Sequence, residues 1–260
     1  RNFITPTEVD ITGGGASPGA ANLYEGTASS APLPTSLSDV LLNRDITRGY
    51  TDPSFGTPVN VMFGQTIDGT AGQQELFLFD ITTGNQLFKL TAGDAAEDDD
   101  FGVSVAISGT TAIVGANGDD GNGTDSGSAY LFDTTTGTQI AKLTAGDGAG
   151  DDRFGVSVGI SGTTAIVGAF RDDDNGSFSG SAYLFDTITG NQLIKLTASD
   201  AATVADFGFS VGISGTTAIV GAFRDDDNGG SSGSAYLFDV TTGMQIAKLT
   251  ASDAAQLDQF

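Results

Sequence analysis

Hydrophobic residues fall along this chain in short runs, each closed off by small or polar residues. FGVSVAI (101–107), AIVGA (112–116), SAYLFD (128–133) and QIAKLTA (139–145) succeed one another with Gly, Asp, Asn, Ser and Thr between them. Apolar runs of this length and bounding read as strands, and the spacing leaves no room for a helix of about 10 residues. The run QLFKLTA and its copies alternate as a strand packed on one or both faces does, and carry one lysine at a fixed place: Lys89, Lys142, Lys195 and Lys248. That lysine reads as an edge charge blocking sheet-to-sheet aggregation, or as the partner of an aspartate in a neighbouring unit. The DxTTG segments Asp133–Gly137 and Asp239–Gly243 suit a short hairpin loop in which glycine supplies the positive φ.

The pattern repeats every 53 residues. Phe101-Gly102, Phe154-Gly155 and Phe207-Gly208 keep that interval, as do Phe79, Phe132, Phe185 and Phe238 of the LFD triplet. Residues 154–206 and 207–259 are identical at 41 of 53 positions. Four short strands per unit, repeated, is the signature of a propeller blade. The expected fold is therefore an all-β propeller of four-stranded blades, incomplete or five-bladed within this chain. Full copies occupy 101–153, 154–206 and 207–259, and a degenerate copy occupies 48–100, where Arg48-Gly49 replaces FG and Val59–Phe63 replaces AIVGA. Residues 1–47, rich in Gly, Ala, Ser, Thr and Pro, read as an extended arm with a strand at Thr7–Thr12, or as a diverged fifth blade, since GAANLYEG (19–26) echoes GSAYLFD. The chain opens without Met or a signal-peptide core and stops on Phe260, the first residue of another FG. Both features raise the expectation of a processed or excised piece, whose natural sequence continues or whose ring closes through another molecule.

Charge narrows the function. Thirty-three acidic residues stand against 10 basic ones, for a formal charge of −23. Nucleic acid is excluded as a partner, because phosphate binding needs clustered Lys and Arg. A surface this negative attracts cations and repels itself unless counter-ions offset it. The absence of Cys and His removes disulfides, thiolate and imidazole metal ligands, and Ser-His catalysis. No apolar run approaches the ~20 residues of a membrane helix, so membrane insertion is not expected.

FGxSV, then AIVGA, then GSAYLFD, in three full copies and one degraded copy, resembles the FG-GAP repeat, the blade unit of the integrin α-subunit propeller and of many secreted bacterial surface proteins. The resemblance implies strands radiating outward in a propeller, usually of seven blades, and work in extracellular adhesion and recognition without catalysis. Calcium-binding members carry a DxDxDG-like loop between the FG and IVGA strands. Here that connection is Ser161-Gly162-Thr163-Thr164, with no carboxylate, so those ligands do not transfer to this chain.

Aspartates recur elsewhere in each copy: Asp119 and Asp120; Asp172, Asp173 and Asp174 with Asn175; Asp225, Asp226 and Asp227 with Asn228. A second acidic series lies between units and includes Asp94, Asp147, Asp200 and Asp253. These hard oxygens are candidate calcium ligands. The spacing is not that of an EF-hand, since Ser177 and Tyr183 stand where a loop starting at Asp172 needs Gly and Glu. The other reading is an Asx-rich turn, with Arg171 and Arg224 each neutralising one adjacent carboxylate. Phe101, Phe154 and Phe207 are expected in blade cores, with Tyr130, Tyr183 and Tyr236 in cores or interfaces. The expected function is a non-enzymatic, extracellular or cell-surface module that presents repeated loops to a polysaccharide or protein. The alternative is a structural protein that self-associates through strand or blade complementation into a filament, sheath or surface layer.

Overall fold

The structure, a computed structural model, describes residues 74–80 and 83–260, together with the backbone of 61–67. Among the described residues every regular element is a strand. The first sheet holds β1 (Val61–Ile67), β2 (Gln74–Asp80) and β3 (Gln86–Leu90). The second holds β4 (Phe101–Ser108), β5 (Thr111–Ala116), β6 (Ser128–Asp133) and β7 (Thr138–Leu143). The third holds β8 (Phe154–Ser161), β9 (Thr164–Ala169), β10 (Ser181–Asp186) and β11 (Gln192–Leu196), and the fourth β12 (Phe207–Ser214), β13 (Thr217–Ala222), β14 (Ser234–Asp239) and β15 (Gln245–Leu249). Strands follow one another as antiparallel neighbours in every sheet, which is the arrangement of a propeller blade.

Each FG opens a blade for a local reason. Gly155 and Gly208 adopt φ values of 93° and 92°, and the pairing with the next strand shifts just there, between Phe154 and Ser157 and between Phe207 and Ser210. That bulge turns the phenylalanine inward. Phe154 meets Tyr183 and Phe185 edge-on at 5.6 and 5.7 Å, and all three rings are buried. The same triad recurs as Phe101, Tyr130 and Phe132 and as Phe207, Tyr236 and Phe238.

The core lies between sheets. Ile113, Leu131 and Leu143 of the second sheet pack on Phe154, Val158, Val167 and Tyr183 of the third. Ile166, Leu184 and Leu196 of the third pack in turn on Phe207, Val220 and Tyr236 of the fourth. Backbones also touch: a Cβ on Gly115 would lie 1.9 Å from Gly155 O, and one on Gly168 1.9 Å from Gly208 O. On the last sheet the corresponding face is open. Ile219 is 40% exposed, whereas Ile113 and Ile166, its counterparts, are fully buried.

The degenerate repeat departs from the spacing expected of it. Asp80 pairs with Val61, whereas its counterpart Asp133 pairs with Thr111, which would correspond to residue 58. Residues 68–73 separate β1 from β2, whereas residues 117–127 separate β5 from β6, and the displaced register goes with that shorter separation. The arm, the diverged fifth blade and Arg48-Gly49 lie outside the described residues.

Gly168→Ala is expected to cost about 3 kcal/mol or more, because the clash falls on the backbone of the next sheet. Gly221→Ala, which meets mainly the Ser210 side chain, is expected to cost about 1 kcal/mol. Urea unfolding of the two variants measures the difference.

Candidate functional site

The strand register places the two acidic series at one end of the blades. Ala116 pairs with Ser128, Phe101 with Ala116, and Ala129 with Leu143, so the loop between β5 and β6 and the links between sheets emerge together. The short hairpins, including DxTTG, lie at the opposite end. There Asp133 Oδ1 accepts the backbone N–H groups of Thr135 and Thr136 at 2.7 and 3.3 Å and the Thr135 hydroxyl at 2.6 Å, and those bonds hold its carboxyl below the ordinary range.

The first aspartate of each loop points inward. Asp119, Asp172 and Asp225 are 4%, 3% and 5% exposed. Each closes an Asx turn: Asp119 Oδ1 accepts Gly121 N–H at 2.9 Å, Asp172 Oδ1 accepts Asp174 N–H at 3.2 Å, and Asp225 Oδ1 accepts Asp227 N–H at 3.1 Å. The second oxygen accepts a buried tyrosine hydroxyl, from Tyr130 at 2.8 Å, Tyr183 at 2.6 Å and Tyr236 at 2.6 Å. Burial first, and then these carboxylates, push the tyrosine hydroxyls well above their ordinary range.

A lysine completes every cluster. Lys142 Nζ lies 2.8 Å from Asp119 and 2.6 Å from Asp94, an aspartate of the preceding link. Lys195 Nζ donates to Asp172 at 2.9 Å, Asp147 at 2.8 Å and Asp174 at 2.5 Å. Lys248 meets Asp225 at 3.1 Å, Asp200 at 2.7 Å, and Asp227. The repeated lysine is thus the partner of a neighbouring unit's aspartate and not an edge charge; only Lys89, paired with Glu75, remains largely exposed. Burial opposes the charged form of Lys142, but the Asp119 and Asp94 bonds outweigh it and raise its pKa. Burial likewise acts to raise Asp119, and bonds from Lys142, Ser128, Tyr130 and Gly121 bring it below the ordinary carboxylate range.

This geometry divides the candidate metal ligands. Among the described residues, Asp147, Asp172 and Asp174 bring carboxylate oxygens within 4.8 Å of one another and so could hold a metal ion. The Lys195 ammonium already bonds to all three. Calcium takes six to eight oxygen ligands, so a bound ion would have to expel that ammonium and recruit further donors. The clusters as they stand do not fit calcium while the lysine is in place. Asp120 and Asp226 turn away to accept Asp125 N–H at 2.8 Å and Ser231 N–H at 2.7 Å. Asp173 and Asn175 are exposed, and Asn228 offers its backbone N–H to Ser232 Oγ at 3.2 Å. Arg171 and Arg224 reach the links, not the loop triplets: Arg171 Nη1 is 2.9 Å from Asp151, and Arg224 Nη1 is 3.1 Å from Asp206.

Burial raises three carboxyls of the links between sheets, those of Asp99, Asp152 and Asp206. Asp152 accepts Ala149 N–H at 2.7 Å from a position 4% exposed. Burial pushes it up to about 6; the Ala149 bond opposes this and the charges of Asp172 and Asp173 add to it.

Stacked four-stranded blades, opened by FG and tied by a buried Lys–Asp–Tyr cluster, define a propeller-type repeat protein. Residues 85–132, 138–185 and 191–238, more than half of the chain, match the FG-GAP repeat, and the chain belongs to that family. Each matched unit runs from the last strand of one sheet through the first three of the next, so it spans the junction between blades. No curated protein matches the chain.

Lys195→Met should lower stability by about 2 kcal/mol, since it strands the buried Asp172 while its outer partners remain solvated. Millimolar calcium should then raise the melting midpoint of the variant and leave that of the unaltered chain nearly still, as differential scanning calorimetry would record.

The pH dependence has two signs. Asp152 has a folded value above its unfolded value near 3.9, so its contribution is fully present below about pH 4 and is lost as pH rises through about 6, a change of about 3 kcal/mol. Asp119 acts oppositely: its contribution is present above about pH 4 and is lost as pH falls through its lowered value. Asp152→Asn should reduce the decline between about pH 4 and 7 in urea unfolding series, leaving the part that the raised Asp99 and Asp206 carboxyls supply, and an unchanged decline would assign it wholly to those groups.

Proposed function

We propose that this chain is a non-catalytic recognition or adhesion module working outside the cell, which presents the loop ends of its blades to a polysaccharide or protein surface. The observation that carries the reading is the repetition of one loop end, blade after blade, around clusters whose carboxylates are bonded internally. Asp119, Asp172 and Asp225 have their oxygens committed to tyrosine, lysine and the backbone, leaving no free base beside a nucleophile. What faces solvent is the outer rim of the same loops, including Asp120, Asp173 and Asp226. A rim repeated at each blade suits weak contacts that add through multivalency. FG-GAP repeats are typical of extracellular and surface proteins, which supports the location.

The open apolar face of the last sheet favours a second reading, assembly between chains. Ile219 and Leu249 expose there the positions that bury Ile166 and Leu196 one blade earlier. A blade from another chain laid on that face would extend the stack.

Labelled protein applied to beads coated with plant or bacterial polysaccharide, or with extracellular-matrix protein, tests the first reading at about physiological ionic strength. Saturable binding that strengthens with coating density is expected, and its absence from every surface would overturn the module. Sedimentation velocity over a hundredfold concentration range tests the second reading: growth in mass supports assembly, and a constant monomer removes it.

A further inference from the structure

The blades are close copies, so positions where they differ stand out from what the fold requires. In the third and fourth sheets the strand leading into the acidic loop is followed by Phe170-Arg171 and Phe223-Arg224; the second sheet has Asn117-Gly118 there and folds alike. Phe209 in β12 stands where Val103 and Val156 stand in β4 and β8. Phe178 replaces Asp125 and Ser231 of the other copies.

These exceptional residues meet. Phe170 and Phe209, from adjacent sheets, lie edge-to-face at 5.5 Å, and Phe209 and Phe223 lie tilted at 4.6 Å. The Arg171 guanidinium lies over both Phe170 and Phe178, at 5.3 and 5.5 Å, and that of Arg224 over Phe223 at 5.1 Å. The result is a continuous ladder, Phe178, Arg171, Phe170, Phe209, Phe223, Arg224, crossing two blades at their loop end. Phe209 is 45% exposed and Phe178 37%. Large rings held open to water at positions where a sister blade uses valine, aspartate or serine are not explained by packing.

A buried acid stands beside the ladder. Asp206 is 2% exposed, its backbone N–H bonds to Phe178 O at 3.1 Å, and its Oδ2 lacks a hydrogen-bond partner although Arg224 Nη1 is 3.1 Å away. That close approach supplies charge without hydrogen-bond geometry, and the buried oxygen anchors the Arg224 guanidinium from beneath the ladder.

We propose that this ladder is a binding subsite for a neutral saccharide. The inference rests on the recognition-module reading and names its ligand class. The charge of −23 disfavours an anionic ligand, and Arg171 and Arg224 disfavour a cationic one at the ladder itself. An uncharged ligand remains, with an apolar face to lie on the rings and a polar edge to meet the arginines. A pyranose ring has both, its axial C–H groups on one side and hydroxyls around the rim.

The sister blade supplies substitutions that the fold already accepts. The triple variant Phe170→Asn, Phe209→Val, Phe223→Asn installs the residues found at 117, 103 and 117 of the second copy. Intact chain and variant would be run by affinity electrophoresis through native gels containing soluble β-glucan, α-mannan, galactan or dextran, with melting curves to confirm that both are folded. We expect the intact chain to be retarded by at least one polymer and the variant to lose at least tenfold in apparent affinity. Equal retardation of chain and variant would overturn the subsite and leave the module reading standing. No retardation in any gel, with saturable binding to protein-coated beads, would also overturn the subsite while keeping the module. Failure on all gels and beads would remove both.

Discussion

Everything in this fold follows from the closeness with which one sheet lies on the next. At Gly115 and Gly168 the separation is so small that even a methyl group would strike the carbonyl of the following blade. That contact brings the apolar faces together, and the FG bulge turns a phenylalanine into the space between them. No sheet here buries both faces alone, so the blades are stable as neighbours and not as units. The exposed face of the fourth sheet shows what each blade would look like without its successor.

Electrostatics is arranged around the same junctions. A chain with so few cations places one lysine at each described blade junction, among carboxylates from its own blade and from the preceding link. Buried ion pairs are poor sources of net stability, yet removing one partner is severe, so their effect is to fix relative position. The tyrosine hydroxyl beside each lysine ties this charge to the aromatic core. A family known for acidic loops thus carries, in this member, an internal ammonium at the centre of its acidic clusters.

Strand order, the 53-residue period and the blade cores were legible in the sequence because they depend on local alternation and on spacing. The period also held the evidence for the clusters: Lys142 and Asp94 are each displaced by 53 residues to Lys195 and Asp147. Spacing offered their pairing only as one of two readings of the lysine, since the series meet only when the strand register folds the link back over the loop. The displaced β1 was illegible for a simpler reason, a shortened connection that breaks the count. The aromatic ladder was signalled only by differences between copies, at Phe170, Phe209 and Phe223, which a search for similarity passes over.

The links between blades carry left-handed backbone at residues other than glycine: Asp151 and Arg153 at φ 74° and 60°, and Val204 and Asp206 at 63° and 53°. For a β-branched residue such as Val204 this is an unfavourable conformation, so the residue itself does not select it. The preceding blade does: Val204 N–H bonds to Ser177 O at 2.8 Å, and Asp151 N–H to Thr124 O at 2.8 Å. Each finished loop is therefore a mould for the connection that follows, and the information that starts a new blade is held by its predecessor. Order in such an array passes from neighbour to neighbour, and its cooperativity resides in the seams.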